Sequence, residues 1–266
     1  GGSSSTSKFT QEERMKKYFA AILKDNEMQG QRRLRILPTP DGSSPFKEVW
    51  YHEIQVDGKF QKFYDPGKND NERSPLNEVY EELRSTGKDS DKELAKQYLS
   101  RKFYIVKVID RDNESDGVKF WRFKHNYRNE GILDKIIPIW RTKGDITDPD
   151  NGRDITLELT KAKTPKGATY TVIQTVMYDD PAPVHENKEL ANTWIKDELT
   201  WEDVYSKKTE EYLEAIARGE TPRWDSDKGG FVYGNSSQSE ISMGGESKKV
   251  NSDPQENAEP DENMPF

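Results

Sequence analysis

Two neighbouring segments, RKFYIVKVID (Arg101–Asp110) and VKFWRFKH (Val118–His125), alternate side-chain character with a period of two, and only the seven polar residues RDNESDG part them. A parallel pair of strands needs a crossover of about a dozen residues or more, so this pair must be an antiparallel hairpin. The same constraint recurs along the chain. RLRILP leads to FKEVWYHEIQV, which turns through Val56-Asp57-Gly58-Lys59 into KFQKFY, and Asp65-Pro66-Gly67 stops that strand. Further on, DITLELTKAK and ATYTVIQTV flank Pro165-Lys166-Gly167 as a second clear hairpin. Helical spacing is confined to the intervals. It runs over Thr10–Leu23 through Met15, Tyr18, Phe19 and Ile22, over Pro75–Arg84 and Asp91–Leu99 on either side of Gly87, and over GILDKIIPIW. Towards the C-terminus it returns over Glu186–Ile195 and Trp201–Ala217, the latter closed by Gly219 and Pro222. The expected fold is therefore mainly β with inserted and C-terminal helices, an α+β chain built on a small closed or partly open barrel of the OB type.

Apolar residues are only 31% and charged residues 34%, so a core must be concentrated in part of the 266 residues. The charge is unevenly placed: 32 Lys and Arg face 30 Asp and Glu up to Val184, and 9 face 19 from His185 onward. A slightly basic body with an acidic arm is the pattern. We divide the chain into an N-terminal arm and short helix (1–31), a β core (32–184) with a helical insertion at about 75–100, helices packed on that core (185–224) and a disordered acidic tail (225–266), whose composition offers too little burial to offset ordering. Cysteine is absent, which removes disulfides, thiolate nucleophiles and cysteine-based zinc sites.

Catalytic patterns are missing. The three histidines, His52, His125 and His185, stand in different elements, and no Walker loop, HExxH or GxSxG occurs. DRDNESDG and DPDNGRD lack the full calcium-loop pattern and read as turns. No enzyme, metal or cofactor is expected. What stands out instead is the interleaving of aromatic and basic residues: Lys59, Phe60, Lys62 and Tyr64; Arg101, Lys102, Phe103 and Tyr104; Trp121, Arg122, Phe123 and Lys124. Single-stranded nucleic acid binding uses this mixture, with cations following phosphates and aromatic faces stacking bases whatever their identity. Alternation puts Lys119, Trp121, Phe123 and His125 on one face and Val118, Phe120, Arg122 and Lys124 on the other. Either face serves as the candidate. A single-stranded RNA-binding protein would use the same groove, and a metal-dependent nuclease would need clustered acids in a cleft.

In order and content, LRILPTPDGSSPF, VWYHEIQVDGKFQKFY, RKFYIVKVIDRDNESDGVKFWRFKHNYRNEGILDKI and RDITLELTKAK with its hairpin resemble the single-stranded DNA-binding, helix-destabilising proteins of tailed bacteriophages, which have an OB fold. The likeness spans most of residues 32–266 on loose motifs. It implies a DNA groove at Arg35, Phe103, Tyr104, Trp121 and Arg122, a place in phage DNA replication, recombination and repair, and the cytoplasm of an infected bacterial host. Relatives hold zinc with a histidine and three cysteines. Here His52 stands at the histidine's place and Ser74-Pro75-Leu76-Asn77 at a Cys-Pro-x-Cys pair, so the metal is expected to be lost. Their short basic N-terminal arm mediates contacts between neighbours on DNA, whereas SSSTSKF carries one lysine, which implies weak or DNA-dependent self-association. In bacterial single-stranded DNA-binding proteins a similar acidic tail ending in Pro-Phe recruits partners. By that analogy Asp261, Glu262, Met264, Pro265 and Phe266 would engage a polymerase, primase, helicase or recombinase, and the acids would lie over the basic groove when DNA is absent.

Overall fold

A computed structural model describes residues 9–234. Seven strands form one sheet: β1 (Gln29–Ile36), β2 (Lys47–Val56), β3 (Lys59–Tyr64), β4 (Ser100–Asp110), β5 (Val118–Lys124), β6 (Ile155–Lys163) and β7 (Thr169–Tyr178). Every ladder is antiparallel, in the order β3-β2-β4-β1-β6-β7, with β5 on the other edge of β4. The three expected hairpins are all present. The hairpin β2–β3 turns at Asp57 and Gly58, both at positive φ, which glycine adopts without strain. Strand β4 is the longest and the hub: along one edge it pairs with β5, and along the other with β2 through its first half and β1 through its last residues. The ladders among the described residues leave the sheet open, so its architecture is a mixed α+β fold with an antiparallel sheet.

Helices fill the intervals: α1 (Gln11–Met15), α2 (Pro66–Asp70), α3 (Pro75–Ser85), α4 (Asp89–Ala95), α5 (Ile132–Lys143), α6 (Lys188–Ile195), α7 (Trp201–Val204) and α8 (Glu210–Ala217). None is long and apolar enough to cross a membrane among the described residues. Two depart most from the expected bounds, each for a tertiary reason. The helix expected to reach Leu23 stops at Met15, because Lys17 and Phe19 hydrogen-bond the backbone of Phe120 (Phe120 N to Lys17 O, 2.7 Å; Phe19 N to Phe120 O, 2.9 Å) and so cover the outer edge of β5. The helix expected over Trp201–Ala217 breaks after Val204. Tyr205 takes an extended conformation that buries its ring, and Thr209 restarts the helix as the cap of α8. The stretch expected to be disordered from position 225 is structured over its first residues. Strands β8 (Arg223–Asp225) and β9 (Gly230–Val232) pair, and Phe231 meets Tyr212 of α8 edge-on at 4.9 Å. The rest of the expected tail lies outside the described residues.

Both faces of the β4–β5 hairpin are covered. On one, Tyr104, Val106, Val108, Trp121 and Phe123 join Leu34, Ile36, Leu157 and Leu159 under Ile132, Ile136 and Ile139 of α5. On the other, Phe103, Ile105 and Phe120 join Val49, Tyr51 and Tyr64 under Trp201, Val204 and Tyr205. A third cluster links the β2–β3 hairpin to α8 through Ile54, Val56, Phe63, Leu76, Tyr212, Leu213 and Ile216.

Candidate nucleic-acid interface

Residues directly opposite one another in an antiparallel ladder share a face, so the registers sort the expected contact residues. Gln55 faces Phe60, Glu53 faces Lys62 and Tyr51 faces Tyr64 across β2–β3. Tyr51 faces Arg101 and Val49 faces Phe103 across β2–β4, and Phe103 faces Lys124 and Ile105 faces Arg122 across β4–β5. Phe60, Lys62, Tyr64, Arg101, Phe103, Arg122 and Lys124 thus line a single face. Lys59, Lys102, Tyr104, Trp121 and Phe123 lie on the opposite one.

On the first face the cations gather round Glu53 and the rings of Tyr51, Phe103 and Tyr205. Lys124 Nζ is 2.6 Å from Glu53 Oε1. Burial would raise the Glu53 carboxyl's pKa, but the ammonium groups of Lys124 and Lys62, with Arg101 beyond, hold it below its ordinary value. Burial depresses Lys124, and Glu53 only partly restores it. The Arg122 guanidinium lies 5.0 Å from the Tyr51 ring, 5.9 Å from Phe103 and 4.4 Å from Tyr205, within the range of cation–π attraction. Burial pushes the Tyr51 phenol up to about 12, so it is neutral and adds no negative charge. Lys62, Arg101, Arg122, Lys124 and Lys207 outnumber Glu53, Asp70 and Glu202 here, so this face is net cationic over a buried aromatic floor, with Phe60 exposed at its margin.

The opposite face is interior. Tyr104, Trp121 and Phe123 are buried beneath α5, as Tyr51, Tyr64 and Phe103 on the first face are buried beneath Trp201, Val204 and Tyr205. At its rim the Tyr104 hydroxyl is 2.7 Å from His125 Nδ1, Lys102 Nζ lies 5.7 Å from the Tyr104 ring and 3.5 Å from Glu48, and Tyr127 is exposed. Lys59 is exposed at the hairpin end. Arg35 is a correction: it is fully buried on β1. Its Nη2 donates to the carbonyls of Asp148 and Ala182, both at 2.8 Å, and its Nη1 to Asp154 at 3.4 Å. Only glycine fits beside it at position 152, where a Cβ would come within 2.5 Å of the guanidinium. Asp154 also takes Arg33 at 2.9 Å and Arg111 at 3.0 Å. Arg35 therefore ties the loop after α5 to the sheet. Asp261, Glu262, Met264, Pro265 and Phe266 lie outside the described residues.

His52, Asp65, Ser74 and Asn77 come together between the β2–β3 hairpin and α3. His52 Nδ1 meets Tyr98 O at 2.8 Å, and its Nε2 stands 3.6 Å from Asp65. Asp65 Oδ1 accepts from the backbone N–H of Gly67 and Lys68, capping α2, and both carboxylate oxygens accept from Asn77 Nδ2. A Cβ on Gly67 would touch Asn77, Ser74 and Asp65 together. One imidazole and one carboxylate, with an amide donating into that carboxylate, do not make a zinc donor set. Among the described residues no group of three or more His, Asp or Glu is placed to hold a metal.

Neither a protein-family model nor a curated protein matches the chain. Sequence patterning missed Tyr51, Glu53, Trp201, Tyr205 and Lys207. The alternation of YHEIQV carried the signal for the first two, since Tyr51 and Glu53 fall in phase with Tyr64 and Lys62 across the turn.

Proposed function

We propose that this protein coats single-stranded DNA without sequence preference, through the aromatic–basic face of strands β2 to β5. The observation that carries this reading is the convergence of Lys62, Arg101, Arg122 and Lys124 over Tyr51, Tyr64 and Phe103 on one face, with Phe60 at its edge. Cations at that density attract a phosphate backbone, and rings offer stacking that ignores base identity. Binding only the unpaired form would melt secondary structure by mass action. No reaction is assigned to the site. The open antiparallel sheet and its inserted helices are compatible with an OB-type barrel, and with the phage helix-destabilising family that the motif order resembles. In that setting the protein would act in replication, recombination and repair inside an infected bacterium, with its acidic C-terminal residues engaging replication or recombination proteins.

The test is a fluorescence-anisotropy titration of labelled oligo-dT, with a matched RNA strand as competitor. The expected outcome is saturable binding that weakens as salt rises, with DNA holding at least as tightly as RNA. Absence of binding at low salt would remove the function, and a clear preference for RNA would move it to the other nucleic acid.

A further inference from the structure

The aromatic–basic face is occupied in the free protein by the chain itself. Residues 199–207 run across it, with α7 as their short helical part. Trp201 stacks on Tyr64, with centroids 5.4 Å apart and planes 23° from parallel. Tyr205 sits against the Arg122 guanidinium at 4.4 Å. Between these rings in sequence stands Glu202, its side chain 57% exposed and 3.8 Å from the ammonium of Lys207 in the same segment. Asp203 beside it is engaged as the cap partner of Thr200, accepting from Thr200 N at 2.8 Å. Two planar rings on an aromatic–basic floor, with a carboxylate between them, repeat the chemistry of two bases and the phosphate that joins them.

We propose that residues 199–207 form a displaceable strap that imitates a short stretch of single strand, and that single-stranded nucleic acid must expel it to reach Tyr64 and Arg122, given that the face takes single strands as proposed above. The segment is held by the burial of Trp201, Val204 and Tyr205 against Tyr51, Tyr64 and Phe103, and by polar contacts at its ends. Tyr18 donates its hydroxyl to Val204 O at 3.1 Å and lays its ring 5.0 Å from Tyr205, and Lys207 bridges to Asp70 at 3.3 Å. On either side, residues 196–200 and 206–209 belong to neither helix nor strand, so the strap can swing away without unwinding α6 or α8. Its rings also account for the burial of a cationic face, since they shield the floor from water until a ligand replaces them.

Hydrogen exchange on the full chain, with and without saturating oligo-dT, decides the matter, anisotropy on the same samples confirming occupancy. Amides of residues 199–209 should exchange about tenfold faster or more in the complex, while those of β4 and β5 slow, because local opening sets the exchange rate. The exposed Glu202→Gln variant, which removes the phosphate-like charge and its pairing with Lys207 without touching the buried rings, should bind oligo-dT about threefold tighter through a larger open fraction. With binding confirmed, unchanged or slower exchange in 199–209 overturns the strap and leaves the DNA-binding face standing, and a Glu202→Gln variant of equal or weaker affinity does the same. Failure of the unaltered protein to bind at all overturns the face, and the strap with it.

Discussion

Single side chains separate into those that hold the fold and those offered to a ligand. Arg122 touches three rings from a position that is only partly buried, so Arg122→Ala should weaken oligo-dT binding by about 10- to 100-fold, the loss of one phosphate contact together with a cation–π partner. Phe60→Ala should weaken it by about 1–3 kcal/mol, as for one stacked base, while leaving the urea midpoint unchanged because the ring is exposed. Asp65 behaves in the opposite way. It is fully buried, and although burial alone would raise its carboxyl, the His52 ring and the Asn77 amide hold it well below the usual carboxylate range. Its folded value thus lies below the unfolded value of about 3.9, so its contribution is complete at neutral pH and drains away as pH falls below about 4. Asp65→Asn should cost about 3 kcal/mol at pH 7, as expected for breaking a buried polar cluster, and the gap between variant and unaltered protein should narrow at pH 3 in parallel urea titrations. The sequence named most of these residues yet could not tell the two faces of β4–β5 apart. Phe, Trp, Arg and Lys alternate so evenly in VKFWRFKH that both faces carry rings and cations, and only the packing shows what covers each, α5 over Trp121 and Phe123 and residues 201–205 over Phe103 and Phe120.

At the level of elements, hairpins were legible because period-two alternation and Asp-Gly or Pro-Lys-Gly turns are local signals. Helix ends were less so. The run through Tyr18 and Phe19 has helical spacing, but the exposed edge of β5 offers unpaired backbone groups, and Lys17 and Phe19 satisfy them instead. The Trp201–Ala217 run is split because Tyr205 gains more by entering the cluster around Phe103 than by extending a helix. Motif order points Arg35 towards DNA, and nothing local announces its burial, since its partners Asp148, Asp154 and Ala182 lie more than a hundred residues away. The junction they form joins β1, β4 and the segment entering β6. Asp154→Ala would leave buried Arg35 without its carboxylate and should destabilise the fold by about 3–5 kcal/mol, seen as a large fall in melting temperature. Arg33, half-exposed, should be far more tolerant of replacement.

For the whole molecule, affinity should fall with salt at a log–log slope of about −0.7 for each phosphate neutralised, and Lys62, Arg101, Arg122 and Lys124 set its upper limit at four contacts on this face. The chain beyond Gly234 contains seven acids and two lysines. Ending the protein at Gly234 should strengthen oligo-dT binding a few-fold at low salt, an advantage that disappears as screening increases. A cut at Trp224 would instead take away β9 and the contact of Phe231 with Tyr212, mixing a loss of packing into the measurement. A chelator should leave the melting temperature unchanged, in keeping with the hydrogen-bonded knot at Asp65. The shared strand β4 has a further consequence, for cooperativity. Because its first half is hydrogen-bonded to β2 while Phe103–Ile109 are held by β5, the β2–β3 hairpin and the helices that follow it cannot melt without unzipping a strand that the rest of the sheet also needs. Heat should therefore reveal one transition, with calorimetric and van 't Hoff enthalpies in agreement, from a chain whose helical insertion looks separable on paper.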